Sequence, residues 1–285
     1  MWKQWLVAGA LAGTGLAQAF TPQTGTWVVT SELNGKPGRG LAIDVQDKTL
    51  ALQMYAYEAN GSATFYQTSG PLVDNQYTGT LNKYRGGRYL GSGDRTGVDN
   101  GNEGVVKMRF ESGTKGYVTF PGEPEKEISR FQFAYGPNAQ SLVGLWLLTP
   151  LTSATPQSDF VTLDTYLGAS DSGTGMVGTR DGRFGCDNLV RGPNAGWVLC
   201  VKLNQANQLA RSYFFKYMVN DGEGLTGKNS EPAGDLLIVR RLTDDRGDGL
   251  GIMFKSAEDQ GSDEAVDPTV LRQVLEQTAA QVATD

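Results

Sequence analysis

From Gly25 onward the chain is written in short runs in which every second residue is apolar. Leu41, Ile43 and Val45 alternate with smaller or polar neighbours, and Leu50, Leu52, Met54 and Ala56 do the same across residues 49–57. A period of two puts one set of side chains on a buried face and the other in solvent, the signature of a half-buried strand. Asp47-Lys48 and Asn60-Gly61 punctuate these runs as turns, the second a strong hairpin signal because both residues accept positive φ. Residues 63–69 return and Gly70-Pro71 stops them; 77–84, 103–111, 116–120 and 126–135 continue the pattern. Strands at this spacing, with no helix between them, predict an antiparallel barrel or sandwich rather than a parallel sheet.

After Gly136-Pro137-Asn138-Ala139 the pattern restarts, with strands expected at 143–149, 159–167, 195–203, 209–219 and 235–242 and a hairpin turn at Asp181-Gly182. The restart repeats the opening: Gly25-Thr26-Trp27 returns as Gly144-Leu145-Trp146, and each half closes on arginine, Arg130 in the first, Arg240 and Arg241 in the second. The expected fold is all-β, two antiparallel barrel-like or sandwich domains in tandem at 20–136 and 143–257, joined by a linker at 137–142. An acidic linker and a C-terminal helix occupy 258–285. Asp267 is placed to cap that helix with Pro268 at its first position, and Val270, Leu271, Val274 and Leu275 recur on one face, which is expected to pack on the second domain.

The first nineteen residues change the compartment in which all this is read. Lys3, an apolar run over 6–16 and Ala17-Gln18-Ala19 spell a signal peptide cleaved before Phe20. The run is shorter than the ~20 residues that span a bilayer, so an exported periplasmic or extracellular protein is expected, not an integral membrane protein. In an oxidising compartment the two cysteines, Cys186 and Cys200, are expected to form a disulfide.

Composition then removes chemistry. The 285 residues hold no histidine, which excludes Ser-His-Asp and Cys-His machinery and histidine metal ligands. Two thiols make an incomplete zinc set, and neither metal nor cofactor is expected. A net charge of −6 without a basic face argues against nucleic acid. Carboxylate pairing is what remains for catalysis, with Asp44, Glu58, Asp164 and Asp181 on or beside strands. Two acidic loops, Asp94 with Asp99, Asn100, Asn102 and Glu103, and Asp244 with Asp245 and Asp248, carry oxygen ligands suited to calcium but lack the EF-hand spacing and read as solvated turns. The aromatic residues are the better lead. Tyr55, Tyr57, Phe65, Tyr66, Tyr77, Tyr84 and Tyr89 crowd the middle of the first half, a density that suits a binding cup, a sugar-stacking surface or simply a barrel core.

Two resemblances rest on these residues. A Gly-x-Trp on a first strand with arginine on a late strand resembles the calycin-type barrels, lipocalins and avidins among them, which implies that Trp27 closes one barrel end with Arg130 over its ring, and Trp146 another with Arg240 or Arg241. The succession Gly25-Thr26-Trp27, Gly38-Arg39-Gly40-Leu41, Tyr57, Asn60-Gly61, Phe65-Tyr66, Ser69-Gly70-Pro71, Tyr77-Thr78-Gly79-Thr80-Leu81 and Arg130-Phe131 resembles a repeated β-domain of secreted proteobacterial proteins, with Phe65 where that pattern shows tryptophan. It implies export and a β-domain and lends no catalytic residues. The expected function is that of an exported non-enzymatic binding or interaction protein of the cell envelope or extracellular space, taking a small ligand, a glycan or an envelope protein. The alternatives are a secreted carboxylate-dependent hydrolase such as a glycosidase, and a purely structural envelope component.

Overall fold

The computed structural model describes residues 20–151, 157–228, 234–250 and 267–282. The signal peptide read at 1–19 and the acidic approach to the helix lie outside the described residues. The chain divides into two compact units, one up to Phe131 and the other from Gln132.

The first unit is a closed antiparallel barrel whose strands follow chain order: β1 (Gly25–Val29), β2 (Gly40–Gln46), β3 (Thr49–Tyr57), β4 (Ala63–Val73), β5 (Gln76–Arg85), β6 (Val98–Ser112), β7 (Lys115–Thr119) and β8 (Lys126–Arg130). It closes where β8 pairs with β1, Arg130 opposite Trp27. Alternation on β3 is complete: Leu50, Leu52, Met54 and Ala56 point inward and their neighbours outward. Two turns differ from expectation. β4 runs through Gly70-Pro71 to Val73, and the chain reverses at Asp74-Asn75, with φ of 50° and 59°. Short polar side chains tolerate that left-handed region, so this pair makes the tight hairpin. Asn60-Gly61 lies in a longer connection in which Gly61 alone is left-handed and the Glu58 N–H donates to the Ser62 carbonyl at 2.8 Å. The barrel interior is filled by Trp27, Leu41, Ile43, Leu50, Leu52, Tyr77, Val106 and Ile128, all fully buried.

The second unit is built from β9 (Gly144–Leu151), β10 (Asp159–Leu163), β11 (Thr165–Gly168), β12 (Gly173–Gly178), β13 (Phe184–Leu189), β14 (Val198–Leu203), β15 (Leu209–Met218), β16 (Asp221–Lys228) and β17 (Asp235–Arg241). They form one sheet in the order β10-β9-β17-β16-β15-β14-β13-β12-β11. Its two margins are successive stretches of chain. β10 pairs with β9, β11 pairs with β12, and only Asp164 separates them, its N–H donating to the Gly178 carbonyl at 3.1 Å. One kinked strand thus curls the sheet into a barrel-like ring.

Residues 137–142, read as a linker, belong to this core. Asn138 caps a 3-10 turn, Ala139–Leu142, in which Ala139, Ser141 and Leu142 are buried. Gly-Pro-Asn composition marks an irregular backbone correctly, but the apolar residues that follow it stop one barrel end instead of spanning solvent. Helix α1 (Pro268–Val282) is capped by Asp267, which accepts from the Thr269 N–H at 2.8 Å. Leu271 and Leu275 bury themselves against Met176, Leu199 and Val201, on the outer side of β12 to β14. Cys186 and Cys200 face each other across β13 and β14 and are disulfide-bonded within the core. A loop of this length adds about 3 kcal/mol by restricting the unfolded chain, and the bond fits an oxidising compartment.

Candidate functional site

Each Gly-x-Trp sits at one end of its barrel in the same local geometry. Trp27 and Trp146 are buried, and each indole N–H donates to the carbonyl four residues earlier, Gln23 at 2.9 Å and Leu142 at 2.8 Å. Each ring packs on a phenylalanine, Phe110 at 5.6 Å and Phe215 at 6.3 Å. The arginines divide. Arg241 is fully buried, 4.2 Å from the ring centres of both Trp146 and Tyr135, and donates to the carbonyls of Val143 and Ser141. Burial pulls its guanidinium below its ordinary value. Arg240 faces outward to Asp221. Arg130 lies over Gly25, where a Cβ would fall 2.5 Å from its Cζ, and it donates to the Thr26 carbonyl at 2.8 Å rather than stacking on Trp27 as Arg241 stacks on Trp146. A buried tryptophan thus fills each of these ends.

The interior of the second barrel is likewise occupied, by Phe184, Phe215 and Tyr213. The Tyr213 hydroxyl donates to Asp159, whose other oxygen takes Lys202, and so joins β10 to β14 and β15. Burial against that carboxylate drives the Tyr213 hydroxyl far above its ordinary value.

The seven aromatic residues considered for a binding cup do not converge on one, Tyr89 standing exposed in the β5–β6 connection. Tyr66 and Tyr77 are core residues, the Tyr77 hydroxyl bonded to Thr68 at 2.6 Å, and burial raises both phenols. Tyr55, Tyr57, Phe65 and Tyr84 stand on the outside, between 44% and 55% exposed. There the register assembles them. Tyr55 pairs with Phe65 across β3 and β4, and Tyr84 lies on the same outer face, two residues along β5 from Asn82, which stands opposite Gln67. A second row runs alongside: Gln53 opposite Gln67, Gln67 opposite Asn82, Asn82 opposite Asn102. Three aromatic rings and four primary amides therefore lie in parallel outer rows across adjacent strands. At about 4.8 Å per strand the amide row is roughly 14 Å long. The amide row escapes sequence reading because no two of its members are near in the chain; only the sums of paired positions, available once register is known, reveal it.

Charged residues rim this barrel. Lys83 is held by Glu103 and lies 3.6 Å from Glu58. Further round, Glu32 and Glu123 each contact both Arg39 and Lys126 in an alternating square, and Arg39 lies 4.4 Å over the Phe120 ring. The Arg39 guanidinium holds Glu32 below its ordinary value and pulls Glu123 down to about 2. A depressed carboxylate contributes stability above its unfolded pKa, here 4.5, and loses it as pH falls through its folded pKa, about 2. Arg39→Met should lower stability by about 1 kcal/mol at pH 7, the partial exposure of the pairs keeping the effect small. Thermal melts of both proteins should converge as pH falls from 4.5 towards 2, and a gap that persists unchanged there contradicts the assignment.

The carboxylates considered for hydrolysis are engaged separately. Asp44 accepts from Thr24 and Gln46, Glu58 faces Lys83, Asp164 pairs with Arg180, and Asp181 accepts from Thr179 and the Arg183 N–H. In the acidic loops, Asp99 and Asn102 accept from Gly101 and Gly104, and Asp244 from Arg246 and Asp248, as turns of this type do. Among the described residues no group of three acidic, cysteine or histidine side chains is placed to hold a metal. No described helix is long and apolar enough to cross a membrane. Comparison with protein-family models, with curated proteins and with solved structures finds no match.

Proposed function

We propose that the protein is an exported, non-enzymatic glycan-binding protein that works on the outside of its first barrel. The observation that carries this reading is the pair of outer rows, Tyr55, Phe65 and Tyr84 beside Gln53, Gln67, Asn82 and Asn102. A pyranose presents C–H groups on its faces and hydroxyls at its edges. Rings of Tyr and Phe suit the former, and primary amides, each with two donors and an acceptor, suit the latter. An exposed strip of this kind suits an extended chain, whereas a lone small ligand is better served by a cavity, and both barrel interiors are filled with side chains. The Arg241–Trp146 stack supports the calycin-like likeness of the second barrel, and the buried disulfide supports export.

Affinity electrophoresis through gels containing neutral polysaccharides, together with pull-down on isolated cell-wall sacculi, tests the reading. The mature protein should be retarded by at least one such polymer. Tyr55→Ala/Phe65→Ala/Tyr84→Ala should reduce the retention constant by about ten- to a thousandfold, at about 0.5–1.5 kcal/mol per ring, while leaving the melting temperature nearly unchanged because all three rings are exposed. Retention that survives the triple substitution, or its absence on every polymer, contradicts the proposal.

A further inference from the structure

The connection between β5 and β6 does not follow the chemistry of an ordinary solvated loop. Tyr89, Leu90, Gly91 and Ser92 form a tight turn: the Ser92 N–H donates to the Tyr89 carbonyl at 2.9 Å, the Tyr89 N–H donates to the Ser92 hydroxyl at 3.0 Å, and Gly91 supplies a φ of 82°. Such a turn places its second residue at the apex, a position usually given to proline or a polar residue. Here it is Leu90, the most exposed apolar side chain described, with Tyr89 beside it at 65% exposure. The turn holds the leucine outward by hydrogen bonds of its own backbone.

Below the apex the loop is basic. Arg85, Arg88 and Arg95 stand against two carboxylates, Asp94 and, at the neck, Asp99, in a chain whose net charge is −6. Arg88 pairs with Asp94, and the Arg95 guanidinium lies 5.5 Å from the centre of the Tyr89 ring. Residues 98–103 of β6 pair with β5 alone, and among the described residues no strand flanks this end of the hairpin on the β7 side, Pro121 reaching only as far as Gly104. From neck to apex the order of side chains is arginine, tyrosine, leucine. That is the order of a membrane interface: guanidinium at the phosphates, an amphipathic ring at the headgroup boundary, an aliphatic tip at the start of the acyl chains.

We infer that the β5–β6 hairpin is a membrane-docking finger that inserts Leu90 and Tyr89 at the surface of an anionic lipid bilayer, with Arg85, Arg88 and Arg95 on its phosphates. The charge arrangement selects the occupant. A chain of net charge −6 is repelled by anionic lipid as a whole, whereas within a Debye length of about 10 Å at 0.1 M salt this basic tip is attracted, which favours the orientation that turns the hairpin to the bilayer. The hydrogen bonds of the turn satisfy the N–H groups of Tyr89 and Ser92 at its base, which lowers the cost of bringing this backbone into the headgroup region. One aliphatic side chain and one ring give reversible docking, which the arginines strengthen.

Vesicle flotation of the mature protein tests this, with one set of vesicles of zwitterionic phospholipid alone and another containing 30% anionic phospholipid. The expected result is flotation with the anionic vesicles, weak or none with the zwitterionic ones, and release at 1 M salt. Leu90→Asp should weaken binding at least tenfold, and each of Arg85→Gln, Arg88→Gln and Arg95→Gln by about fivefold. All four positions are exposed, so circular dichroism melts of the variants should match the parent. Tyr55→Ala/Phe65→Ala should leave flotation intact, which separates this surface from the polysaccharide strip. Equal flotation on both vesicle types, no flotation on either, or binding indifferent to Leu90→Asp overturns the inference.

Discussion

Arg241→Ala is expected to destabilise the second barrel by about 4 kcal/mol, against about 1 kcal/mol for Arg130→Ala in the first. The two arginines hold equivalent places, each opposite the tryptophan of its barrel's first strand. Their surroundings differ. Removing Arg241 leaves the buried carbonyls of Ser141 and Val143 without its donors and opens a gap between Trp146 and Tyr135 that no neighbour fills. Arg130 is partly exposed and water can replace it at Thr26. Arg241→Lys should recover less than half of the loss, because an ammonium is a point donor and cannot lie flat between two rings while reaching two carbonyls. Urea unfolding followed by tryptophan fluorescence measures all three; equal effects at the two arginines would show that the stacking contributes nothing.

Trp27→Ala should cost the first barrel about 4 kcal/mol, near the upper end for large-to-small core changes. Its ring packs edge-on against Phe110 and its N–H ties the segment at Gln23 to the barrel end. Trp27→Phe keeps most of the apolar volume but leaves the Gln23 carbonyl without its partner, and should fall about midway. Phe20 packs on the same cluster, so protection of residues 20–24 from amide exchange should fall in both variants. If exchange there is unaffected, the indole fills space but does not fasten the segment.

How much of this was legible in sequence depended on burial being one-sided. β3 alternates without a fault because its outer face meets solvent, and the first barrel's strands were readable for that reason. β12 and β13 were not assigned. Helix α1 covers the outer side of β13, so all six of its residues, Phe184 to Leu189, are buried and no period of two survives. β16 was missed for a different cause. Its glycines at 222 and 224 leave no alternation of apolar side chains to read, and a Cβ there would fall 2.5 Å from the Lys216 carbonyl and 2.6 Å from the Phe215 Cα, so only glycine fits at these points of the strand. The helix and the cysteine pairing were both readable, since each follows from local spacing or compartment alone. Among the candidate site residues, Tyr55, Phe65 and Tyr84 were found by type, but their separation from Tyr66 and Tyr77 follows from strand phase, one residue's shift exchanging inside for outside.

The kink at Asp164 has a bearing on how the protein avoids aggregation. A sheet with two long open margins offers backbone donors and acceptors to any unfolded chain it meets. In the second barrel those margins are β10 and β11, two short pieces of one strand laid end to end around the ring. There is no long template on which a neighbour could polymerise. Asp164 marks the point at which a sheet became self-limiting.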